Sequence, residues 1–207
     1  MNILLSLLKG FSASSGLIIA IGAQNAFVIR QGLKRQHLFL TALICSLIDA
    51  ILIFMGVIGF GFYISEYPLF IDLTKYFAAI FLFCYGLISL RSAFKKNSLK
   101  SSAEEPSVSS AKKIIVTLLA LSLLNPHVYL DTVILLGSIA SQQPSHEQMY
   151  FAAGAISASF LWFFSITFGA RLLAPLFQKE NSWRIIDGLI AITMWTIALS
   201  ILNLPLF

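Results

Sequence analysis

Long apolar runs that carry few charges are the feature that most constrains the fold of this chain. Hydrophobic residues make up 58% of the sequence and charged residues 11%, whereas roughly 25% are charged in an ordinary soluble domain. The runs are about 20 residues long, the length at which an α-helix crosses roughly 30 Å of hydrocarbon. They are Ile3 to Ile29, Leu38 to Tyr63, Leu69 to Leu90, Ile114 to Ile139, Tyr150 to Leu173 and Ile185 to Pro205. Their apolar residues are continuous rather than alternating, which disfavours barrel strands. The sequence therefore predicts an all-α integral membrane protein with six transmembrane helices.

The lysines and arginines predict how these helices are oriented. Twelve of the 14 basic residues flank the first, third and fifth loops, and basic residues in short loops stay on the cytoplasmic side. Both termini are then expected outside. The net charge of +5 reflects this topology, so the lipid bilayer is the expected partner and a nucleic acid is not.

A serine-rich, charged segment separates the first three spans from the last three. Residues 94–112 hold too few apolar side chains to fold alone, which predicts a cytoplasmic linker between two repeats, 1–93 and 113–207. Because three spans is an odd number, the second repeat must insert upside down relative to the first. Inverted repeats of this kind occur in transporters, whose sites lie between the repeats at interrupted helices.

Polar residues interrupt the first and fourth spans at similar places. GAQN occupies residues 22–25 and NPH occupies residues 125–127, and each polar group costs free energy in hydrocarbon unless a partner or water satisfies it. We therefore expect helices 1 and 4 to be interrupted and to form a shared site. The expected helix-breaking residues are Gly22 and Pro126, and the candidate binding residues are Gln24, Asn25, Asn125 and His127. The alternative for Gly22 is that it lets another helix approach closely. The structural alternatives are that Asn125 satisfies carbonyls freed by the proline and that His127 is a hydrogen-bonded packing residue.

Two acids in the predicted spans are further candidates for the site. Asp49 lies 11 residues beyond Leu38, which is roughly 16 Å deep at 1.5 Å per residue. A carboxylate at that depth costs roughly 2.5 to 3.5 kcal/mol, so it needs a cation, a proton or a hydrogen-bond partner. Asp131 follows the fourth-span break closely. For Asp49 we favour a binding role over the alternative of a partner contact between helices. Asp131, with carbonyls freed by the proline, is expected to form a surface that suits a cation.

Several other polar and aromatic residues are expected to be structural. Asp187 lies beside Arg184 at the start of the sixth span, which favours an interfacial helix-start or ion-pair role. The side chain of Lys9 is expected to reach toward the nearby interface. Trp162 and Phe163 are expected to face lipid or to pack against other helices.

The sequence also excludes several classes of protein. It has no phosphate-binding glycine loop with its lysine, so the chain cannot drive a pump with its own nucleotide hydrolysis. The cysteines and histidines lack metal-ligand spacing, so neither a metal site nor a cofactor is expected. A membrane-embedded enzyme that uses His127 with Ser122 or Ser138 is the alternative of another class. No recognisable nucleophile motif accompanies these residues, and we expect the protein not to be an enzyme.

Two separated motifs resemble one protein family. The string GAQNAFVIRQGLKRQH, Asp49 in the second span and LLNPHVYLDTVILLG in the fourth are similar to the LysE-type lysine and arginine exporter family, as is SASFLWFF in the fifth span. The family's first motif usually reads Gly-Pro-Gln-Asn, whereas this chain has Ala23 at the proline position. The resemblance implies efflux of basic amino acids across a bacterial inner membrane, coupled to ion gradients rather than to ATP.

This implied activity agrees with the chemistry of the candidate residues. Lysine and arginine carry an extra cationic group, which would pair with the acids of a shared cavity. Moving that charge outward against the membrane potential costs about 2.3 kcal/mol per 100 mV. Export therefore needs a compensating influx, most simply of protons held in turn by Asp49, Asp131 or His127. Export of a neutral amino acid or a metal cation on the same fold stays open as an alternative, and so does a homodimer.

Overall fold

All regular secondary structure in the described part of the chain is helical. The computed structural model describes residues 3–19, 22–59, 68–94, 110–174 and 180–203. The helices are α1 Ile3–Ile18, α2 Ala23–Lys34, α3 Leu38–Val57, α4 Pro68–Phe94, α5 Ala111–Leu123, α6 Pro126–Val128, a π-helix Tyr129–Leu135, α7 Leu136–Ser141, α8 Gln148–Leu173 and α9 Glu180–Asn203. The all-α prediction is confirmed for these residues.

The helices coincide with the predicted apolar runs. Judged by length and composition, α3 and α8 are each long and apolar enough to cross a membrane, and α1 with α2 adds a third when the bent pair is taken as one span. Helix also occupies the other three runs, in α4, in the segment from α5 to α7, and in α9. Residues 20–21, 60–63 and 204–205 of the predicted spans, and 95–109 of the predicted linker, lie outside the described residues. The number of six spans stays a prediction.

The first predicted span is divided into two helices. The axes of α1 and α2 form an angle of 83°, and α2 begins after Gly22, whose backbone is extended with φ −117° and ψ 172°. A carbonyl at the end of a helix has no partner within that helix. Here the Nδ2 of Asn25 donates to the Ile18 carbonyl at 2.9 Å, so this asparagine stabilises the break although the chain has Ala23 where the family usually has proline.

The fourth predicted span is divided as well. Helix α5 ends at Leu123, whose carbonyl accepts a hydrogen bond from the Tyr129 hydroxyl at 2.6 Å. Asn125 Oδ1 accepts the backbone N–H of His127 at 3.1 Å, and Pro126 is the first residue of the short α6, where its missing N–H is no loss. The wide turns of the π-helix follow, and such turns are often found at functional sites.

The α1 and α2 helices both contact α8, at successive positions along it. Residues later in α1 and α2 contact residues later in α8; the first contact is with Glu147, which directly precedes α8. The pairs are Ser6 with Glu147, Gly10 with Phe151, Asn25 with Trp162, and Gly32 with Ala170. The polar residues of the first break therefore face the middle of α8.

A glycine contact brings α3 against the π-helix. A Cβ at Gly56 would lie 2.7 Å from the carbonyl oxygens of both Thr132 and Val133, so only a residue without a side chain permits this approach. Asp49 lies seven residues before Gly56, which is about two helical turns and hence the same face of α3. This packing turns Asp49 toward the segment that carries Asp131.

Candidate functional site

A cavity of about 300 Å³ lies between the two helix breaks. This volume is at the lower end of the roughly 300 to 1,000 Å³ found for pockets that enclose small molecules. All six residues that the sequence predicted for binding line it, together with Gly22. They are Gln24, Asn25, Asp49, Asn125, His127 and Asp131. The structure therefore brings together residues that lie up to about a hundred positions apart in the chain.

The amides of the first break differ in what their side chains contact. The Nδ2 of Asn25 donates to the Ile18 carbonyl at 2.9 Å, and its Oδ1 accepts from Trp162 Nε1 at 3.3 Å. Gln24 is 9% exposed and its side chain lies near the Cys45 thiol, but its Nε2 makes no hydrogen bond to any described residue. A buried donor without a partner costs roughly 1 to 3 kcal/mol. Gln24 is thus suited to bind a ligand or water, whereas Asn25 maintains the backbone geometry of the site.

Asp49 provides a buried carboxylate in the cavity wall. It is 4% exposed, and its Oδ2 accepts a hydrogen bond from the Ser159 hydroxyl of α8 at 2.9 Å. One neutral donor does not compensate a buried negative charge. A cationic ligand or a proton would do so.

The second break supplies the other polar wall of the cavity. The Oδ1 of Asn125 is bonded to the His127 backbone, which is the structural use considered for this residue from the sequence. His127 and Asp131 are half-buried and lie four residues apart, about one helical turn, so their side chains share a face of the segment. Pro126 precedes them as the first residue of α6. This wall presents an imidazole and a second carboxylate.

Two contacting residues were not identified as part of the site from the sequence. Ser159, the hydrogen-bond donor to Asp49, lies in the small-residue string SAS, and a buried serine in an apolar helix gives little signal on its own. Trp162 was expected to face lipid or to pack, but its indole N–H also bonds Asn25. Both lie on α8 and reach partners that only the folded chain brings close.

The cavity chemistry suits a small zwitterion that carries an additional positive charge. Amide donors can bind a carboxylate, and the two acids can bind cationic groups. Within the ranges that the structure describes, no group of three or more His, Cys, Asp or Glu residues is arranged to hold a metal ion. The described residues thus offer separate contacts for unlike charges.

Comparison with known proteins identifies the family. The LysE type translocator family matches residues 15–203. The arginine exporter protein ArgO of Serratia proteamaculans (strain 568) is 40% identical over 194 residues, which are 94% of this chain and 94% of that protein. ArgO of Salmonella enteritidis PT4 (strain P125109) is 40% identical over 92% of this chain and 90% of its own length. ArgO of Yersinia enterocolitica serotype O:8 / biotype 1B (strain NCTC 13174 / 8081) is 41% identical over 92% of this chain and 93% of its own length.

No solved structure matches the chain. The relatives are named as exporters rather than enzymes, and the match covers both helix breaks and both cavity acids. Because the family model and these relatives match nearly the whole chain, the chain belongs to the LysE type translocator family.

Proposed function

We propose that this protein is a secondary exporter of basic L-amino acids, arginine and/or lysine, from the cytoplasm to the outside of a bacterial inner membrane. The observation that carries the proposal is the cavity of about 300 Å³ between two interrupted helices. Two acids line it, together with an amide donor that has no hydrogen-bond partner among the described residues. The names of the relatives favour arginine. Lysine stays in the proposal because an acid-lined cavity suits either cation.

The cavity residues divide the recognition of such a substrate between its charges. Gln24 Nε2 is available to donate to the substrate carboxylate. Asp49 and Asp131 can pair with the α-ammonium and the side-chain cation, since charge-assisted hydrogen bonds are about twice as strong as neutral ones. A neutral amino acid lacks the second cation and would leave one buried carboxylate unpaired. Such a mismatch is the physical basis for selectivity toward basic substrates.

Proton influx is the simplest source of energy for this export. Each positive charge moved outward against a cytoplasm-negative potential costs about 2.3 kcal/mol per 100 mV. A carboxylate of the cavity is compensated either by the substrate or by a proton. Alternate occupation of Asp49, Asp131 or His127 by the two cations would couple their opposite movements.

The helix contacts support two inverted repeats, 1–93 and 113–207, on either side of the 94–112 linker. The first span packs on the fifth, which is α8, and the fourth span packs on the second, which is α3. The third span, α4, packs on the sixth, α9. Exchanging the two halves leaves this pattern unchanged. Six spans in two such repeats place interrupted helices on both sides of one central site.

The ends of the helices support the orientation with both termini outside. Basic side chains gather at one end, where Arg35 lies beside Arg171, Lys34 near Lys113, and Arg184 at the end of α4. At the other end, Ser6 contacts Glu147, and Lys9 Nζ donates to Gln143 Oε1 at 3.1 Å. The start of α1 is thus remote from the basic end that should face the cytoplasm. The expected homodimer stays a prediction.

Export from loaded cells tests the proposal. Cells without their own exporter of basic amino acids are given arginine-, lysine- or leucine-containing dipeptides, and the free amino acid that appears outside is measured with and without this gene. Arginine or lysine efflux should depend on the gene, and leucine efflux should not. Equal efflux of both basic amino acids with and without the gene would contradict basic amino acid export, and gene-dependent leucine efflux alone would favour the neutral-substrate alternative.

Variants of the cavity acids test the site. Asp49→Asn and Asp131→Asn should each abolish export at unchanged membrane abundance. Glu147→Gln is the matched control because it changes a buried carboxylate outside the cavity and retains an acceptor for Ser6, so it should keep most of the export. Normal export by Asp49→Asn would remove that residue from the site. If an imposed pH gradient does not change the flux in proteoliposomes, proton coupling is excluded, but export of basic amino acids is not.

A further inference from the structure

A buried ion pair joins α2 to α9 at the basic end of the helices. Arg30 Nη2 lies 2.9 Å from Asp187 Oδ1, and the two side chains are 12% and 4% exposed. Arg30 Nη1 also donates to the Tyr85 hydroxyl of α4 at 3.4 Å. Asp187 therefore forms the ion pair expected of it, but with Arg30 rather than with its neighbour Arg184, whose Nε donates to the Ala93 carbonyl at 3.1 Å.

The ion pair lies just beyond the cavity along α2. Asn25, which lines the cavity, and Arg30 are five residues apart on this helix, or about 7.5 Å along its axis. Between them, Phe27 packs edge-on against Tyr85 with the ring centroids 6.1 Å apart. An aromatic contact and then an ion pair thus separate the cavity from the basic end.

The energetics of this pair suit a contact that opens and closes. A buried ion pair adds little net stability relative to apolar residues of the same shape, because desolvation offsets the attraction. Removing one partner leaves an uncompensated charge and costs roughly 3 to 5 kcal/mol. Asp187 can therefore release Arg30 without a large penalty only when another cation takes its place.

A ligand that replaces Arg30 at Asp187 must carry a positive charge. Among the acids whose side chains the structure describes, Asp49 and Asp131 line the cavity and Glu147 lies at the opposite end, which leaves Asp187 as the carboxylate of the basic end. Free arginine carries the same planar guanidinium as Arg30 and can form the same ion pair with this carboxylate.

We infer that Asp187 is a second, transient binding group for the side-chain cation of the exported amino acid on its way from the cytoplasm to the cavity. Arg30 occupies this carboxylate and closes the cytoplasmic end when no substrate is there. Exchange of Arg30 for the substrate opens the end, and passage of the substrate into the cavity lets Arg30 return. The inference rests on the proposed export of basic amino acids.

Thiol labelling tests the closure without requiring transport. Gly22→Cys is introduced together with Cys45→Ala and Cys84→Ala, since Gly22 lines the cavity and a Cβ there would meet nothing within 4 Å. A membrane-impermeant maleimide is added to inside-out vesicles. Adding Asp187→Asn should raise the labelling rate about tenfold, and the exchange Arg30→Asp with Asp187→Arg should restore the slow rate. Arg184→Gln, which changes a neighbouring cation outside the pair, should leave the rate unchanged.

Uptake kinetics in the same vesicles test the binding role. Asp187→Asn in the parent chain should raise the KM for arginine added on the cytoplasmic side about tenfold, with less than a twofold change in the maximal rate. Asp187→Glu should stay near the parent KM. If Asp187→Asn fails to accumulate, Arg30→Lys replaces it. Lysine keeps the charge but loses the planar guanidinium that contacts Asp187 and Tyr85 at once, so labelling should then rise two- to threefold.

The outcomes separate this inference from the proposed function. A labelling rate that Asp187→Asn does not raise would overturn the closure, and a KM that Asp187→Asn does not change would overturn the binding role of Asp187. Parent vesicles that transport no basic amino acid would contradict the proposed function and the ligand role together. The closure would still stand if labelling in those vesicles depended on the pair.

Discussion

The hydroxyl of Ser159 donates a 2.9 Å hydrogen bond to Asp49 Oδ2. The two residues hold matching positions, since Asp49 lies 11 residues after Leu38, the first residue of α3, and Ser159 lies 11 residues after Gln148, the first residue of α8. In the proposed inverted repeats α3 and α8 are equivalent helices. The bond therefore joins corresponding positions of the two halves, and each half contributes to fixing the carboxylate of the site.

Ser159→Ala should weaken export by releasing this carboxylate. The hydrogen bond holds the Asp49 carboxylate in a fixed orientation, and a binding group that is no longer held in place binds its ligand more weakly, so we expect the KM for arginine to rise by about tenfold. Ser159→Thr, which keeps a hydroxyl, should retain most of the affinity. Uptake kinetics in vesicles measure both variants.

Ser157→Ala is the matched control for the Ser159 prediction. Ser157 is exposed on the same helix, and its hydroxyl donates to the Ala153 carbonyl at 2.7 Å within α8, so removing it should leave the KM unchanged. A similar rise for both alanine variants would mean that the effect belongs to the helix and not to the contact with Asp49.

Gln24 and Asn25 should respond differently to alanine. Gln24→Ala removes a buried amide whose Nε2 has no partner among the described residues, so the KM should rise while thermal stability in detergent stays the same or increases. Asn25→Ala removes bonds to Ile18 and Trp162 and should lower stability by about 1 to 3 kcal/mol. Equal losses of stability in the two variants would contradict this division of roles.

Gly56→Ala should separate α3 from the π-helix. Its Cβ would lie 2.7 Å from two backbone carbonyl oxygens, which cannot move as a flexible side chain does, and overpacking of this kind costs typically 1 to 3 kcal/mol. Thermal unfolding should show the loss, and export should fall with it. Gly16→Ala is the control because nothing lies within 4 Å of its Cβ position. An unchanged unfolding temperature in Gly56→Ala would mean that α3 and the π-helix can move apart to admit the methyl group without loss of stability.

The sequence predicted the helical class and six polar residues that line the cavity because polar groups in apolar spans have few uses. The cost of burying Asp49 or Gln24 in hydrocarbon is a local property, which can be read from the chain. The helix breaks at 22–25 and 125–127 were also local signals, since proline, glycine and amides disturb helices by known means.

The contacts between distant side chains could not be predicted in the same way. Nothing in the sequence near Asp187 favours Arg30 over Arg184, because which face of α9 meets α2 is decided by packing. Glu147 lies between the fourth and fifth predicted spans, where an acid is ordinary, yet it is 1% exposed and accepts a hydrogen bond from Ser6 across 141 residues. Ser159 and Trp162 gave equally weak signals, since both residue types are common in helices of this kind.

Ala23→Pro should be accepted at the first break and stabilise it. Ala23 is the first residue of α2, where proline has a suitable φ and no N–H is needed, and the extended backbone of Gly22 suits a following proline. A compatible proline stabilises by about 0.4 to 1 kcal/mol, so thermal unfolding in detergent should shift upward while export is retained. Ala26→Pro is the contrasting variant: the Ala26 N–H donates to the Gly22 carbonyl at 3.0 Å, and its loss should cost roughly 3 kcal/mol. If both prolines destabilised the protein alike, α2 would not begin at Ala23 and the account of the first break would be wrong.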